Sequence, residues 1–282
     1  MMRILTANTI VLAAVLCLAP SSSAPAVMAD AQLFGDPPKG DAPKIFGAGF
    51  ISLEDRIEFG LSLSPDGREI FFTAGESGHG EPVDLLVTRR SADGTWSEPV
   101  VANLCGTGRW EFEAFHSPDG RSLLLASQDS ERQRPDSPCR IWRAERSGGG
   151  WGKPVLLDAP VNSTDLFWPS LSRDGTLLVT DITKGVTVRS ELKDGKYQAP
   201  RQLLEKGAVH ATIPPDGSFV LCNKWAGIYV AFRQADGLWS DLLDVGPQIN
   251  TKECQQTCPS LSPDGKYIFF SRYNDKNGKS DI

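Results

Sequence analysis

Positive charge, histidine and long apolar runs are all in short supply in this chain of 282 residues. Its 29 Lys and Arg are outnumbered by 35 Asp and Glu, a formal net charge of −6. A nucleic-acid partner needs a basic face, so the balance argues against that class. It carries no information about fold. The three histidines, His79, His116 and His210, have no recognisable ligand spacing. No metal and no cofactor is therefore expected. Past the N-terminus no stretch is apolar enough for a membrane-spanning helix, and none has the period of a convincing amphipathic helix. The Gly-x-Ser-x-Gly elbow, the His-Glu-x-x-His pair and the phosphate loop are all missing.

The N-terminus has the pattern of a secretory signal: Arg3, an apolar run over residues 10–19, then small residues with cleavage positions after Ala24 and Ala29. Leu16 precedes Cys17 where a lipoprotein signal would have a small residue, so no lipid anchor is expected. Residues 1–29 read as signal peptide, 30–41 as linker and 42–282 as one domain, exported to a periplasm or secreted. Export permits disulfides. Cys105, Cys139, Cys222, Cys254 and Cys258 remain, an odd number. Cys254 could pair with Cys258, and Cys105 could reach Cys139. Cys222, in SFVLCNK, reads as a small buried hydrophobe. Cys254-x3-Cys258 lacks the second ligand pair that zinc would need.

Glycine and proline are plentiful, 27 and 20 residues, and they are periodic. Ser64-Pro65-Asp66-Gly67 returns at Ser117-Pro118-Asp119-Gly120, Ser172-Arg173-Asp174-Gly175, Pro214-Pro215-Asp216-Gly217 and Ser262-Pro263-Asp264-Gly265. The intervals are 53, 55, 42 and 48 residues. Proline presets φ for a tight turn, aspartate bonds locally, and glycine supplies the positive φ on which the next strand leaves. A β-type run follows each corner: REIFFTA, RSLLLAS, TLLVTDI, SFVLCNK and KYIFFSR. Third runs (DLLVTRR, RIWRAER, VTVRSEL, GIYVAFR) lead to second corners (ADGTW, GGGW, KDGKY, ADGLW). Fourth runs open on Trp or Tyr, whose rings are expected to pack within the sheet. Pro99, Pro154 and Pro200 lie in these fourth runs, which places them at an edge. Each unit is thus a four-stranded antiparallel meander, and the chain is all-β: a β-propeller of five blades, with six as the alternative.

The SPDG corner, the apolar strand after it, the IYV strand and DGxWSEP resemble the WD-like β-propeller repeat of the TolB type over residues 50–282. That resemblance implies the fold and an exported setting, and it leaves the activity open, because propellers scaffold many. The last unit stops after its second run. Residues 42–52, APKIFGAGFIS, are expected to complete its sheet.

With the first strand innermost, the near-identical corners share one face. The variable two-to-three and four-to-one connections, including GESGHGEPVD and QDSERQRPDSPC, share the other, where binding is expected. Four positions before each corner stand Gly60, Glu113, Trp168, His210 and Cys258. Six positions before stand Glu58, Glu111, Leu166, Ala208 and Gln256. Glu58, Glu111, Glu113, Trp168 and His210 are the candidate binding residues at the channel mouth, as a polar pocket or simply as the lining of a wet channel. No catalytic residue is assigned. His116 reads as a hydrogen-bonded core residue. SADGTW, residues 91–96, faintly resembles the structural Asp-box of sialidases. Two functions follow from different classes. One is a non-enzymatic, monomeric exported propeller that binds a protein or envelope polymer through its variable face. The alternative is a carbohydrate-active enzyme, a glycoside hydrolase or lyase, using acids at the channel mouth.

Overall fold

The computed structural model describes residues 40, 42–76, 83–106, 108–129, 137–274 and 278–282. The signal segment, nearly all of the linker, His79 and most of the two long variable loops lie outside them. No helix among the described residues is long and apolar enough to cross a membrane.

Each corner folds as its residues require. In the first, Gly67 N–H donates to Ser64 O at 2.9 Å, and Gly67 sits at φ +66°. Ser64 Oγ donates to Asp66 Oδ1 (2.7 Å) and accepts from Glu69 N–H (2.9 Å), so one hydroxyl ties both strands to the turn. The same Ser–Asp bond recurs at Ser117–Asp119, Ser172–Asp174 and Ser262–Asp264. Where Pro214 replaces the serine, Ser218 Oγ bonds Asp216 instead.

The corners organise five antiparallel meanders. Their inner strands are Ile57–Leu63, Arg109–His116, Leu166–Leu171, Ala208–Thr212 and Gln255–Leu261. Their second strands are Glu69–Gly75, Ser122–Asp129, Leu177–Asp181, Phe219–Lys224 and Ile268–Asn274. The fourth strands of the first four meanders are only two residues long: Val100–Val101, Val155–Leu156, Arg201–Gln202 and Leu243–Asp244. In the first three, pairing with the third run starts at the aromatic residue (Arg90 with Trp96, Arg146 with Trp151 and Leu192 with Tyr197), breaks at Pro99, Pro154 and Pro200, which cannot donate, and resumes just after them. Trp96, Trp151, Tyr197 and Trp239 pack into the sheet cores, as expected.

There is no single central core. Five hydrophobic clusters fill the five seams between successive sheets, and the second strands divide themselves between seams by their period of two. Leu124 and Ala126 face the second-to-third seam while Leu123 and Leu125 face the first-to-second. Val220 and Cys222 face the third-to-fourth seam while Phe219 and Leu221 face the fourth-to-fifth. Both faces are buried, which is why these runs are continuously apolar.

The last seam closes the ring. Ile57 bridges Ser280 in parallel, Ser280 Oγ bonds both the N–H (3.1 Å) and the carbonyl (3.0 Å) of Glu58, and Phe46 N–H donates to Ile282 O at 2.7 Å. The last unit does not stop after its second run: Lys279–Asp281 pairs antiparallel as its third strand, and residues 42–52 do not add the expected strand. Left-handed Gly47 and Gly49 curl the segment into turns, and it plugs the seam with Phe46, Phe50 and fully buried Ile51 against Phe269 and Ile282. Sheets in a closed ring around inner strands define a β-propeller.

Neither possible disulfide, Cys254–Cys258 or Cys105–Cys139, is formed. All five described cysteines are free, Cys139, Cys222 and Cys258 are buried, and Cys258 lies within an inner strand rather than in a loop beside Cys254.

Candidate functional site

The column four positions before the corners is set by the backbone. Gly60, Glu113, Trp168, His210 and Cys258 are all left-handed, at φ +65°, +54°, +56°, +51° and +57°. Every one lies at a β-bulge, where pairing of the inner with the second strand slips by one residue, between Phe59 and Ser62 in the first sheet and at the matching place in the others. A left-handed non-glycine residue costs about 1–2 kcal/mol, so four of these positions need compensation.

At Glu113, Trp168 and His210 it comes from hydrogen bonds between blades. Glu113 N–H donates to Thr73 Oγ1 of the first sheet (2.9 Å), and His210 N–H to Thr180 Oγ1 of the third (2.9 Å). Thr73 and Thr180 hold the same register place, and the second sheet has Ala126 there, with no hydroxyl to offer. The Glu113 carboxylate fills the gap by accepting the Trp168 N–H at 2.8 Å. The lace continues from Trp168 Nε1 to Thr212 Oγ1 (3.4 Å) and from that hydroxyl to Pro259 O (2.6 Å), reaching all five sheets. At the fifth-to-first seam the matching hydroxyls, Ser260 Oγ and Ser271 Oγ, are buried and take no protein partner.

Three of the candidate residues therefore meet at the axis. The Trp168 and His210 rings lie 5.0 Å apart, edge to face. Burial pushes the Glu113 carboxyl up to about 8, partly offset by the Trp168 N–H. Burial pushes His210 down to about 4 against its bond to Asn223. Acid and imidazole are both neutral at pH 7, so they form no ion pair. Burial and the nearby Glu113 raise the Cys258 thiol, which stays protonated. The axial cavity, lined by Gly60, Glu113, Phe115, Trp168, Thr212 and Ser260 among others, measures about 10 Å³, room for about one water. No sugar ring fits there.

The other two candidates stand elsewhere. Glu58 is fully buried, accepting from Leu53 N–H (3.1 Å) and Arg56 Nε (2.6 Å), and burial raises its pKa to about 7. Glu111 accepts from Leu104 N–H (2.8 Å) and Cys105 N–H, and burial raises it as well. Both close the loop entering their inner strand, which explains why they match in sequence. Among the described residues no cluster of His, Cys, Asp or Glu is placed to hold a metal ion.

His116 is a buried core residue, as expected, between Ser62 Oγ (2.9 Å) and Glu69 Oε1 (3.2 Å). The sequence did not flag Glu69. Its carboxylate is 3% exposed and also binds Trp151 Nε1 (2.9 Å), Arg89 Nε (2.7 Å) and Arg146 (3.2 Å). Nor did it flag Trp225, the most exposed large apolar residue among those described, at 76%.

No family model and no curated protein matches this chain. Solved structures of similar architecture include the periplasmic gluconolactonase of Pseudomonas aeruginosa (17% identity, TM-score 0.47, 76% of this chain and 65% of that one). This chain thus spans under two thirds of that enzyme. The catalytic domain of the Coprinopsis cinerea GH62 α-L-arabinofuranosidase aligns over 83% of this chain and 91% of its own, with 10% identity and TM-score 0.48. A Xanthomonas campestris gluconolactonase aligns over 82% and 92%, with 14% identity and TM-score 0.48. No activity passes to this chain from likenesses of that order.

Proposed function

We propose that this chain is an exported, five-bladed, TolB-like propeller that binds a protein or envelope polymer through the face carrying the two-to-three and four-to-one connections. The filled axis carries the reading. Glu113 and Trp168 are buried and spent on lacing blades together, Cys258 is buried beside them, and the cavity described at the axis admits about one water. Specificity then has to reside on the rim, where backbone connections vary between blades.

A carbohydrate-active enzyme is the second reading, and one observation favours it. Glu113 is held as a neutral acid near pH 7, the state a general acid needs. Turnover of glycans, aldonolactones and peptides by wild type and Glu113→Gln separates the two. The binding reading expects no turnover by either protein, and a reproducible partner captured from an envelope fraction by both. An activity that Glu113→Gln abolishes without lowering its melting temperature would overturn it.

A further inference from the structure

We infer that Trp225 is a stacking platform for a neutral saccharide ring on the variable face. The inference rests on the binding reading for the face it uses, and it narrows the ligand to a glycan.

Trp225 and Ala226 form the two-residue turn between the paired Lys224 and Gly227. The turn needs positive φ, and Trp225 adopts +54° where glycine or asparagine would be at ease. It is held firmly. Gln256 N–H donates to Ala226 O at 2.9 Å, and Asn250 bonds both the N–H (2.7 Å) and the carbonyl (2.8 Å) of Ile228. Gly227 packs so closely on Asn250 that a Cβ there would lie 3.0 Å from its Cγ. The indole is oriented as well as its backbone. Lys224 Nζ lies 4.2 Å from the ring centroid, fixed by Glu205 Oε1 at 2.5 Å, and Tyr229 meets the ring edge-on at 6.0 Å. One face of the indole thus covers a nearly buried ammonium, while the side chain as a whole stays largely in water.

The chemistry around the ring selects the occupant. Protein hot spots put an aromatic anchor inside an apolar core from which charges are depleted. Trp225 instead sits beside an ion pair. The ammonium behind the ring draws on its π density, which weakens the open face as a seat for a second cation. An acidic chain disfavours nucleobases on a phosphate backbone. A pyranose or furanose ring fits all three conditions. Its C–H face stacks on the open face of the indole, and the largely exposed Glu205 carboxylate is the nearby acceptor for its hydroxyls.

The test is calorimetric titration of the full chain with cellohexaose, chitohexaose and arabinohexaose, together with sedimentation on purified peptidoglycan sacculi. At least one probe is expected to bind. Trp225→Ala should weaken that binding by about tenfold or more, Trp225→Tyr should restore part of it, and Leu238→Ala, an exposed apolar change on the corner face, should leave it unchanged. Thermal melts of all variants should match wild type. Failure of every probe to bind, or equal binding by Trp225→Ala, overturns the inference. An envelope protein captured equally by wild type and Trp225→Ala would sink the saccharide platform while leaving the binding reading intact.

Discussion

Replacing Glu113 with alanine tests the axial lace at its one improvised link. The substitution removes the acceptor of a buried backbone N–H, that of Trp168, for which Ala126 offers no substitute. An orphaned buried donor costs about 1–3 kcal/mol, and the cavity left by truncation adds to it. A loss of about 3 kcal/mol is expected, or about 6–12 °C in Tm for a domain of this size. Glu113→Gln keeps an amide oxygen for Trp168 and should cost under about 1 kcal/mol near pH 6. Adding Ala126→Thr to Glu113→Ala puts a hydroxyl in the register place of Thr73 and Thr180, and should recover about 1 kcal/mol. The pH profile has a definite sign. The Glu113 pKa is raised from 4.5 to about 8 in the fold, so between those values unfolding releases a proton. This contribution is complete below about pH 4.5 and is lost as pH rises through about 8, at up to about 1.4 kcal/mol per pH unit. Wild type should therefore lose ground to Glu113→Gln on going from pH 5 to pH 8 in urea melts. A Glu113→Ala protein as stable as wild type, or a Glu113→Gln profile parallel to it, would refute the reasoning.

The closing seam makes a paired prediction. Ser280→Ala removes two bonds to the Glu58 backbone and should cost about 1–2 kcal/mol in chemical denaturation, whereas Ser271→Ala removes a hydroxyl without a protein partner and should be neutral or slightly stabilising. Glu69 anchors the corner side of the first two blades. Burial would raise its pKa, but the His116 hydrogen bond and the Arg89 and Arg146 charges outweigh burial and hold it at about 2. Its stabilisation is present above pH 4.5 and is lost as pH falls towards 2. Glu69→Gln should cost about 1–2 kcal/mol at pH 7 by weakening the charge-assisted bonds to the part-exposed Arg89 and Arg146, with the deficit shrinking in acid. A deficit independent of pH would show that packing, not charge, is at stake.

Residue columns read from the corners were informative and also misleading. The column holding Glu113, Trp168 and His210 resembled a set of functional side chains, because three chemically active residues lined up in it. Gly60 in the same column was the clue to its nature, since glycine recurs where backbone requires positive φ. Glu58 and Glu111 match because each accepts backbone N–H groups of the loop entering its own inner strand, not because they share a pocket. The setting of Trp225 depends on Lys224 and Glu205, 19 residues apart in sequence, which meet only when the fourth inner strand pairs with the second and puts Ala208 opposite Lys224.

What the sequence determined by itself is local. The Ser-Pro-Asp-Gly corners, the order of strands, the two-sided burial of the second strands and the edge position of the fourth all follow from residues within a few places of one another. Tertiary structure alone decided how the ring is laced and closed. Its bonds join residues 40 and 55 positions apart at the axis and 222 apart at the closing seam. A hydroxyl missing at Ala126 becomes a need for Glu113 only when neighbouring sheets present the two residues to the same N–H. Contiguous residues fix turns through their own dihedral preferences, whereas partners across a seam are chosen by the packing of whole sheets.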